Sequence, residues 1–362
     1  MIRSKLNKKK IIKTAIISFT VLLCVFTLLF IILRFIYPLI LREVNKIKAP
    51  GIDLMETVEI NGIKQVLYFR GENIENPIVL FIHGGPGSPM IPLLHGFQYD
   101  LEKDFTIVHW EQRNAGKTFY LNNPDAVLET MTFEIMLTDA HEITQYIKQK
   151  LNKDEIIILA YSWGTVLGTA LAQEYPQDYS AYIGVGQIIS TTEDRIIGYE
   201  AVLEAAHEKG NKRDIQALEQ LDPNINEHFW EIRPYLNKYN LAEDLSLRLI
   251  MRAFTSPYYG LKDLMYYLNV NILYYQEPIF SFLNNFEIRD WNTHYEIPVF
   301  YIMGERDYTT PYSLAKEFFE EISAANKEFF SIPDAGHIPM LDNKNEFNRI
   351  ILEVISSLLI NE

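Results

Sequence analysis

The chain has 362 residues, of which 48% are hydrophobic and 22% charged. This balance is typical of a folded globular protein and argues against extensive disorder. Residues 49–362 hold 23 Lys and Arg against 46 Asp and Glu, a net charge of −23, which makes nucleic acid a poor partner for them. The single cysteine, Cys24, lies in a hydrophobic run, which excludes an internal disulfide and a thiolate metal site.

The segment 14–33 is 20 residues long and carries no charge. A helix of that length spans roughly 30 Å, the thickness of the hydrocarbon core of a bilayer. A cleaved signal peptide has a shorter apolar stretch and small residues at its cleavage site, whereas Arg34-Phe35-Ile36-Tyr37-Pro38 follows here. We therefore expect a transmembrane helix, in preference to a signal peptide, a lipoprotein leader or a buried core helix.

Basic residues are unevenly distributed about this segment. Six precede it: Arg3, Lys5, Lys8, Lys9, Lys10 and Lys13. Those after it are Arg34, Arg42, Lys46 and Lys48, offset by Glu43. The positive-inside rule predicts a single-pass protein of the cell membrane with its N-terminus in the cytoplasm and the rest of the chain outside it, and a lipid bilayer as one partner.

The first strands follow the apolar segment. Residues 53–70 have alternating apolar positions around Asn61-Gly62, which predicts a β-hairpin. The apolar run 78–82 predicts a buried parallel strand that ends at the loop His83-Gly84-Gly85-Pro86-Gly87.

Strand and helix patterns then alternate, with strands at 105–110 and 156–161 and a helix at 133–151 between them. This order is typical of a doubly wound, mostly parallel α/β sheet. Helical periodicity replaces it for about a hundred residues, and the strand pattern resumes near 298–304. The expected organisation is a basic tail (1–13), a transmembrane helix (14–33), a linker (34–52), a core in two parts (53–186 and 293–362) and a helical cap inserted between them (187–292).

Ser162 lies where a hydrophobic strand meets a helical segment, with Ala160 and Gly164 two residues to either side. This pattern predicts a nucleophile elbow, in which small neighbours allow a tight, strained strand-to-helix turn. A serine that only caps a helix is the simpler alternative, and the segments described next argue against it.

Three segments together resemble the prolyl iminopeptidase family of α/β hydrolases: His83-Gly84-Gly85-Pro86-Gly87, Trp110-Glu111-Gln112-Arg113 and the Ser162 turn. The resemblance extends from about Asp53 to the C-terminus and is weak in the insertion. It implies the α/β-hydrolase fold. The glycine-rich loop would present the N–H of Gly85 beside that of Trp163, so that both donate to a developing oxyanion.

The segment after Trp110 departs from the family pattern at Glu111 and Asn114. Asn tolerates left-handed backbone angles, so we expect the turn to survive. Gln112 and Arg113 either line the site or hold the loop, and the second role is favoured.

An acid and a base complete the expected triad. Asp307 follows a late strand; Glu305 competes with it, and the resemblance implies that the acid is Asp307. Among the eight histidines, His337 follows both Ser162 and Asp307 in the order that this fold uses. We expect Ser162 to be the nucleophile, His337 the base and Asp307 the acid that orients it.

Substrate recognition is less constrained by the sequence. The resemblance implies acidic cap residues that hold the free amino terminus of a peptide, but the family's surroundings for them are missing. The candidates are Glu193, Glu200 and Glu204, which share one helical face by their spacing, and Glu231. A solvated helix face explains the first three equally well.

The leading hypothesis is acyl-enzyme hydrolysis without metal or organic cofactor. The resemblance implies that the enzyme is a proline iminopeptidase-like aminopeptidase acting on small peptides. A carboxylesterase or general amidase of the same fold is the alternative. A serine nucleophile argues against epoxide hydrolases and dehalogenases of this fold, which use a carboxylate. A surface binding protein without turnover is the hypothesis from another class, and labelling of Ser162 by a fluorophosphonate would exclude it.

Overall fold

The computed structural model describes residues 2–242, 247–269 and 271–360, without the side chains of 2–11, 247, 359 and 360. Most side chains of the predicted basic tail and residues 243–246 and 270 of the predicted cap therefore lie outside the described part.

One sheet organises the molecule. Its strands are β1 (Ile52–Ile60), β2 (Ile63–Gly71), β3 (Ile78–Ile82), β4 (Thr106–Glu111), β5 (Ile156–Tyr161), β6 (Tyr179–Val185), β7 (Val299–Gly304) and β8 (Lys327–Ile332). Their order is β1-β2-β4-β3-β5-β6-β7-β8. The pairs β1–β2 and β2–β4 are antiparallel, and all pairs from β4 to β8 are parallel. The predicted mostly parallel α/β sheet is confirmed.

Helices fill the connections. They are α1 (Ile2–Ile31), α2 (Tyr37–Val44), α3 (Gly116–Phe119), α4 (Pro124–Leu128), α5 (Phe133–Leu151), α6 (Trp163–Glu174), α7 (Thr191–Glu208), α8 (Lys212–Leu218), α9 (Phe229–Lys238), α10 (Leu247–Phe254), α11 (Leu261–Leu264), α12 (Ile272–Tyr275), α13 (Glu277–Leu283), α14 (Tyr312–Glu321), α15 (Pro339–Asp342) and α16 (Lys344–Ile360). Helices α7 to α13 all lie between β6 and β7.

The apolar strand residues divide between two cores because successive side chains point to opposite faces. Leu80 of β3 joins a core with α5, α6 and α14, whereas Val79 and Phe81 join a second core with α16. Helices therefore cover both faces of the sheet. The predicted hairpin is confirmed as well, with Asn61 and Gly62 at φ 46° and 78°, the left-handed angles of a tight two-residue turn.

A long helical rod leads into the sheet. It consists of α1, a five-residue π-helical turn (Ile32–Ile36) and α2. Its stretch Ile12–Val44 is long and apolar enough to cross a membrane, and its most apolar window is not buried by the rest of the chain. By length and composition this helix fits either a membrane anchor or a signal sequence.

A buried ion pair fastens the hairpin turn to the loop after β4. The Nε atom of Arg113 lies 2.5 Å from Oδ2 of Asp139 on α5, and both side chains are at most 1% exposed. The side-chain amides of Asn61 and Gln65 each donate to the same carboxylate at 2.8 Å. Such a pair is costly to break, because removal of one partner leaves the other charge buried.

We expect Asp139→Ala to lower the free energy of unfolding by about 3–5 kcal/mol, because the Arg113 guanidinium stays buried without its counter-ion. Chemical denaturation of the detergent-solubilised full chain, followed by tryptophan fluorescence, measures this. Glu353→Ala is the matched control, since it removes an exposed carboxylate paired with Arg349. Equal denaturation midpoints for the two variants would contradict the prediction.

Candidate active site

Ser162 lies in the turn between β5 and α6 with φ 53° and ψ −126°, a strained conformation for a non-glycine residue. Its N–H donates to the carbonyl of Val185 at 2.9 Å. Close packing explains the small residue at 164, because a Cβ on Gly164 would lie 2.3 Å from the carbonyl oxygen of Ile82. The chain can turn this tightly only where these neighbours are small.

Two further side chains reach Ser162 from later strands. Nε2 of His337 lies 2.9 Å from Oγ of Ser162, and its Nδ1 lies 2.8 Å from Oδ2 of Asp307. His337 follows β8 and Asp307 follows β7. The carboxyl ends of parallel strands share one edge of a sheet, and so residues distant in sequence meet here. The structure brings the three predicted triad residues together, whereas Glu305 has no contact with this group among the hydrogen bonds of the described residues.

Asp307 is held by two threonines that follow it. The backbone N–H groups of Thr309 and Thr310 donate to its Oδ1 at 2.9 and 3.0 Å, and the hydroxyl of Thr310 donates to Oδ2 at 2.8 Å. The Thr310 hydroxyl also lies 3.3 Å from Nδ1 of His337. The sequence analysis overlooked Thr310; its position three residues after an Asp at a strand end, typical of a side chain-capped turn, is the signal that would have found it.

The glycine-rich loop lies against the serine. A Cβ on Gly84 would lie 2.8 Å from Cβ of Ser162, and Gly85 has φ 116°, which favours glycine. Gly85 and Ser162 line the same cavity. Trp163 is the first residue of α6, where backbone N–H groups have no partner within the helix. The two predicted oxyanion donors thus belong to segments that meet at Ser162.

His83 and Gln112 hold this loop in place. The Gln112 side chain donates to the His83 carbonyl at 2.8 Å and accepts from the indole N–H of Trp163 at 2.9 Å. Burial lowers the pKa of His83 to about 4, so its imidazole is neutral at physiological pH. Gln112 therefore holds the loop, which is the role favoured from the sequence. Arg113 has the same role through its ion pair with Asp139. Asn114 takes the expected left-handed φ of 51°.

A cavity of about 470 Å³ opens beside Ser162, a size typical of small-molecule sites. Its walls come from the glycine-rich loop and from the helices between β6 and β7, including Asp194, Arg195, Arg233, Tyr266 and Leu273. Tyr266 also donates to the carbonyl of Gly87 at 2.7 Å, which ties this wall to the loop.

The four glutamates predicted to bind a substrate amine lie elsewhere. Glu193 pairs with Arg289 at 3.1 Å, and Glu200, Glu204 and Glu231 are exposed. None of them is among the described residues that line the cavity. Each step along a helix rotates the side chain by about 100°, and so the neighbour of Glu193, Asp194, faces inward instead.

Among the described residues that line this cavity, Asp194 is the one with a carboxyl group, and it is only 7% exposed. Its Oδ1 has no hydrogen-bond partner in the part of the chain that the structure describes. Burial raises the pKa of Asp194 well above its usual range, and the nearby carboxylates Asp307, Glu193 and Glu287 add to this. The cavity wall therefore contains a buried carboxyl oxygen that no group in the described part of the chain satisfies.

No cluster of three or more His, Cys, Asp or Glu side chains that could hold a metal ion is found within residues 2–242, 247–269 and 271–360.

Comparison with known proteins gives matches over most of the chain. A family model described as alpha/beta hydrolase fold matches residues 77–344. A probable aminopeptidase of Bacillus subtilis, YbaC, is 25% identical over 308 residues, which cover 82% of this chain and 94% of the relative. A proline iminopeptidase of Heyndrickxia coagulans is 24% identical over 309 residues, or 83% of this chain and 98% of the relative.

The solved structures show the same architecture. The proline iminopeptidase-related protein of Thermus thermophilus superposes with a TM-score of 0.56 at 18% identity, over 85% of this chain and 98% of that one. At this identity the likeness concerns the fold alone.

Proposed function

Because the chain belongs to the α/β-hydrolase fold family and is related over most of its length to proline iminopeptidases, we propose that it is a serine hydrolase that removes N-terminal residues from small peptides. The observation that supports this most strongly is the hydrogen-bonded line from Ser162 through His337 to Asp307.

In the proposed mechanism, Oγ of Ser162 attacks the substrate carbonyl carbon while Nε2 of His337 takes the hydroxyl proton. The backbone N–H groups of Gly85 and Trp163 donate to the resulting oxyanion. The C–N bond then breaks as His337 returns the proton to the leaving amine, which leaves an acyl ester on Ser162. Asp307 orients the imidazole and stabilises its charged form.

Water completes the cycle. It enters where the amine has left, loses a proton to His337 and attacks the acyl ester. The second oxyanion forms in the same place as the first, and its collapse releases the carboxylic acid and returns the proton to Ser162. Neither half-reaction of this mechanism requires a metal ion or an organic cofactor.

We expect Ser162→Ala to lower kcat by on the order of 10³-fold or more, because the nucleophile is lost while the turn still accommodates a small residue. Hydrolysis of amide and ester substrates, together with labelling by a fluorophosphonate, measures this. Ser356→Ala is the matched control, since Ser356 is exposed on α16. Comparable turnover in wild type and Ser162→Ala would mean that another group is the nucleophile, and an unlabelled wild type would favour a binding protein without turnover.

For the substrate amine, Asp194 takes the place that the sequence analysis gave to the four glutamates. A free amino terminus is cationic at neutral pH, and its burial costs several kcal/mol unless a carboxylate pairs with it. The unpartnered oxygen of Asp194 lies in the wall of the cavity that contains Ser162. A bound ammonium group would also favour the ionised form of a carboxyl whose pKa burial has raised.

Two guanidinium groups in the same wall favour the alternative, a carboxylesterase or general amidase. Arg195 donates to the carbonyls of Pro223 and Asn284, and Arg233 lies over the ring of Phe229. Positive charge beside Asp194 would weaken its attraction for a substrate amine, and would suit a neutral or anionic acyl group.

A matched pair of substrates separates the two. We expect the wild type to have a higher kcat/KM for a free-amine prolyl amide than for its N-acylated twin. Asp194→Asn should reduce this ratio by about 10–100-fold, which corresponds to the loss of a hydrogen bond to a charged group. Glu193→Gln is the control and should leave it intact, since Glu193 is paired with Arg289. Equal kcat/KM for both substrates in the wild type would establish the esterase or amidase alternative. A preference unchanged in Asp194→Asn would remove Asp194 from the proposal and keep the activity.

We also propose that the N-terminal helix is an uncleaved anchor and that the hydrolase core and helical cap, with the boundaries predicted above, lie outside the cytoplasm. The charge distribution around residues 14–33 supports this orientation, as does the burial of Arg34 against the rest of the chain, which a cleaved leader would not need.

Protease added to intact cells should therefore digest the hydrolase domain, whereas a cytoplasmic marker protein stays whole. Immunoblotting with an antibody to the C-terminal helix measures this. Full protection until the membrane is broken would contradict the proposed orientation.

A further inference from the structure

The N-terminal rod packs against α10 and the loop that follows it. The guanidinium of Arg34 donates to the carbonyls of Ser256, at 3.3 Å, and Tyr259. The rings of Phe30 and Phe254 are 5.6 Å apart. These contacts join residues 30–34 of the rod to the end of α10 and to the loop that follows it.

The rod has a definite direction relative to the sheet. Farther along it, the Asn45 carbonyl accepts from Arg70, which pairs with Ile107 at the beginning of β4. By contrast Tyr259, which contacts Arg34, has its hydroxyl 2.5 Å from Glu111 at the end of β4. From Asn45 to Arg34 the rod thus runs towards the carboxyl edge of the parallel strands. Its apolar part continues beyond that edge, on the side where Ser162 lies.

The length of the apolar stretch around Arg34 indicates how deep in the membrane the neighbouring helices lie. Between Lys13 and Arg42 there are 28 residues, and Arg34 is the one charged residue among them. At 1.5 Å per residue they extend about 42 Å, which exceeds a hydrocarbon core of about 30 Å and matches the roughly 40–45 Å of a bilayer with its headgroups. If the helix is the anchor proposed above, the stretch beside Ser256 and Tyr259 lies within the headgroup layer.

The helices at that level expose large apolar side chains. We call these six residues the apolar cap surface: Ile250, Leu261, Met265, Leu268, Leu273 and Tyr274, each at least 44% exposed. They lie in α10 to α12 and the turn between α11 and α12. Apolar side chains that are exposed together as a patch mark sites of contact with a partner protein or a membrane.

The charge of this region differs from that of the rest of the domain. Residues 247–276 contain three basic residues, Arg248, Arg252 and Lys262, and one acidic residue. That residue, Asp263, is neutralised by Lys117 at 2.5 Å. A net positive segment in an otherwise strongly acidic domain suits a surface of anionic lipid headgroups.

We propose that the apolar cap surface inserts into the headgroup layer of the bilayer that holds the N-terminal helix. This inference rests on the proposed anchoring. The cavity wall includes Tyr267 and Leu273 from the same helices, so the mouth of the site lies at the membrane surface. Amphiphilic peptides or esters dissolved in that surface are then the substrates that reach Ser162 most readily.

Site-directed fluorescence tests the insertion. In the full chain carrying Cys24→Ser, a single cysteine at Leu268 is labelled with the environment-sensitive fluorophore NBD, and the protein is reconstituted into phosphatidylcholine–phosphatidylglycerol vesicles. Leu268 is 71% exposed, so its replacement should not disturb folding. We expect a blue-shifted emission and several-fold stronger quenching by doxyl-labelled lipids than for the control label. Met265→Cys is a second site with the same expectation.

The control label is placed at Asp154, which is exposed and lies two residues before β5, on the edge of the sheet opposite the cavity. If the chain stays in the membrane after alkaline carbonate extraction but the labels at 268 and 265 are as exposed to water as that at 154, the insertion is overturned and the anchoring stands. Release by carbonate would overturn the anchoring, and the insertion with it. If the doxyl-labelled lipids quench the labels at 268 and 265 but not the label at 154, the result supports both the insertion and the anchoring.

Discussion

The conformation of Ser162 is the constraint on which the arrangement of the site depends. A non-glycine residue at φ 53° and ψ −126° costs on the order of 1–3 kcal/mol, and the surrounding packing must supply this. Packing this close leaves no room for a side chain at the neighbouring glycines. A Cβ at Gly84 would lie 2.8 Å from Cβ of Ser162, and a Cβ at Gly168 would lie 2.8 Å from Cβ of Ala160. The glycine-rich loop, the small residues around the serine and Gly168 of α6 therefore meet a single packing requirement.

Two buried carboxyl groups near the serine have opposite environments. Asp307 accepts hydrogen bonds from two backbone N–H groups, from the Thr310 hydroxyl and from His337, so that its oxygens are satisfied within the protein. Asp194 has an unpartnered oxygen, and burial raises its pKa. Hydrogen-bond donors within the protein stabilise the carboxylate of Asp307 permanently, which suits a supporting role. A carboxyl group that lacks such a donor, like that of Asp194, suits the binding of a ligand that supplies the donor. This difference is the physical basis for assigning the two groups different tasks.

The sequence predicts those features that depend on local pattern. The runs 78–82 and 156–161 coincide with β3 and β5. The ends of the predicted strands place Ser162, Asp307 and His337 at one sheet edge, and the family resemblance is needed to choose Asp307 over Glu305. The inward face of α7 could not be predicted, because the spacing of Glu193 and Glu200 identifies a shared face but not the direction in which tertiary packing turns it. Contacts between distant segments, such as Tyr266 with Gly87, leave no periodic signal either.

The guanidinium of Arg34 links the rod to the hydrolase domain. An arginine amid an apolar helix is tolerated where its guanidinium finds acceptors, and here these are the carbonyls of Ser256 and Tyr259. The hydroxyl of Tyr259 in turn donates to Glu111, whose pKa burial raises to about 7. Glu111 directly precedes Gln112, which binds both the glycine-rich loop and the Trp163 indole. Buried polar contacts and the short segment Glu111–Gln112 thus connect the rod to the segments around Ser162.

These contacts fix the direction of the apolar helix relative to the cavity. A membrane that holds this helix would therefore also determine how the cavity is oriented relative to the membrane surface.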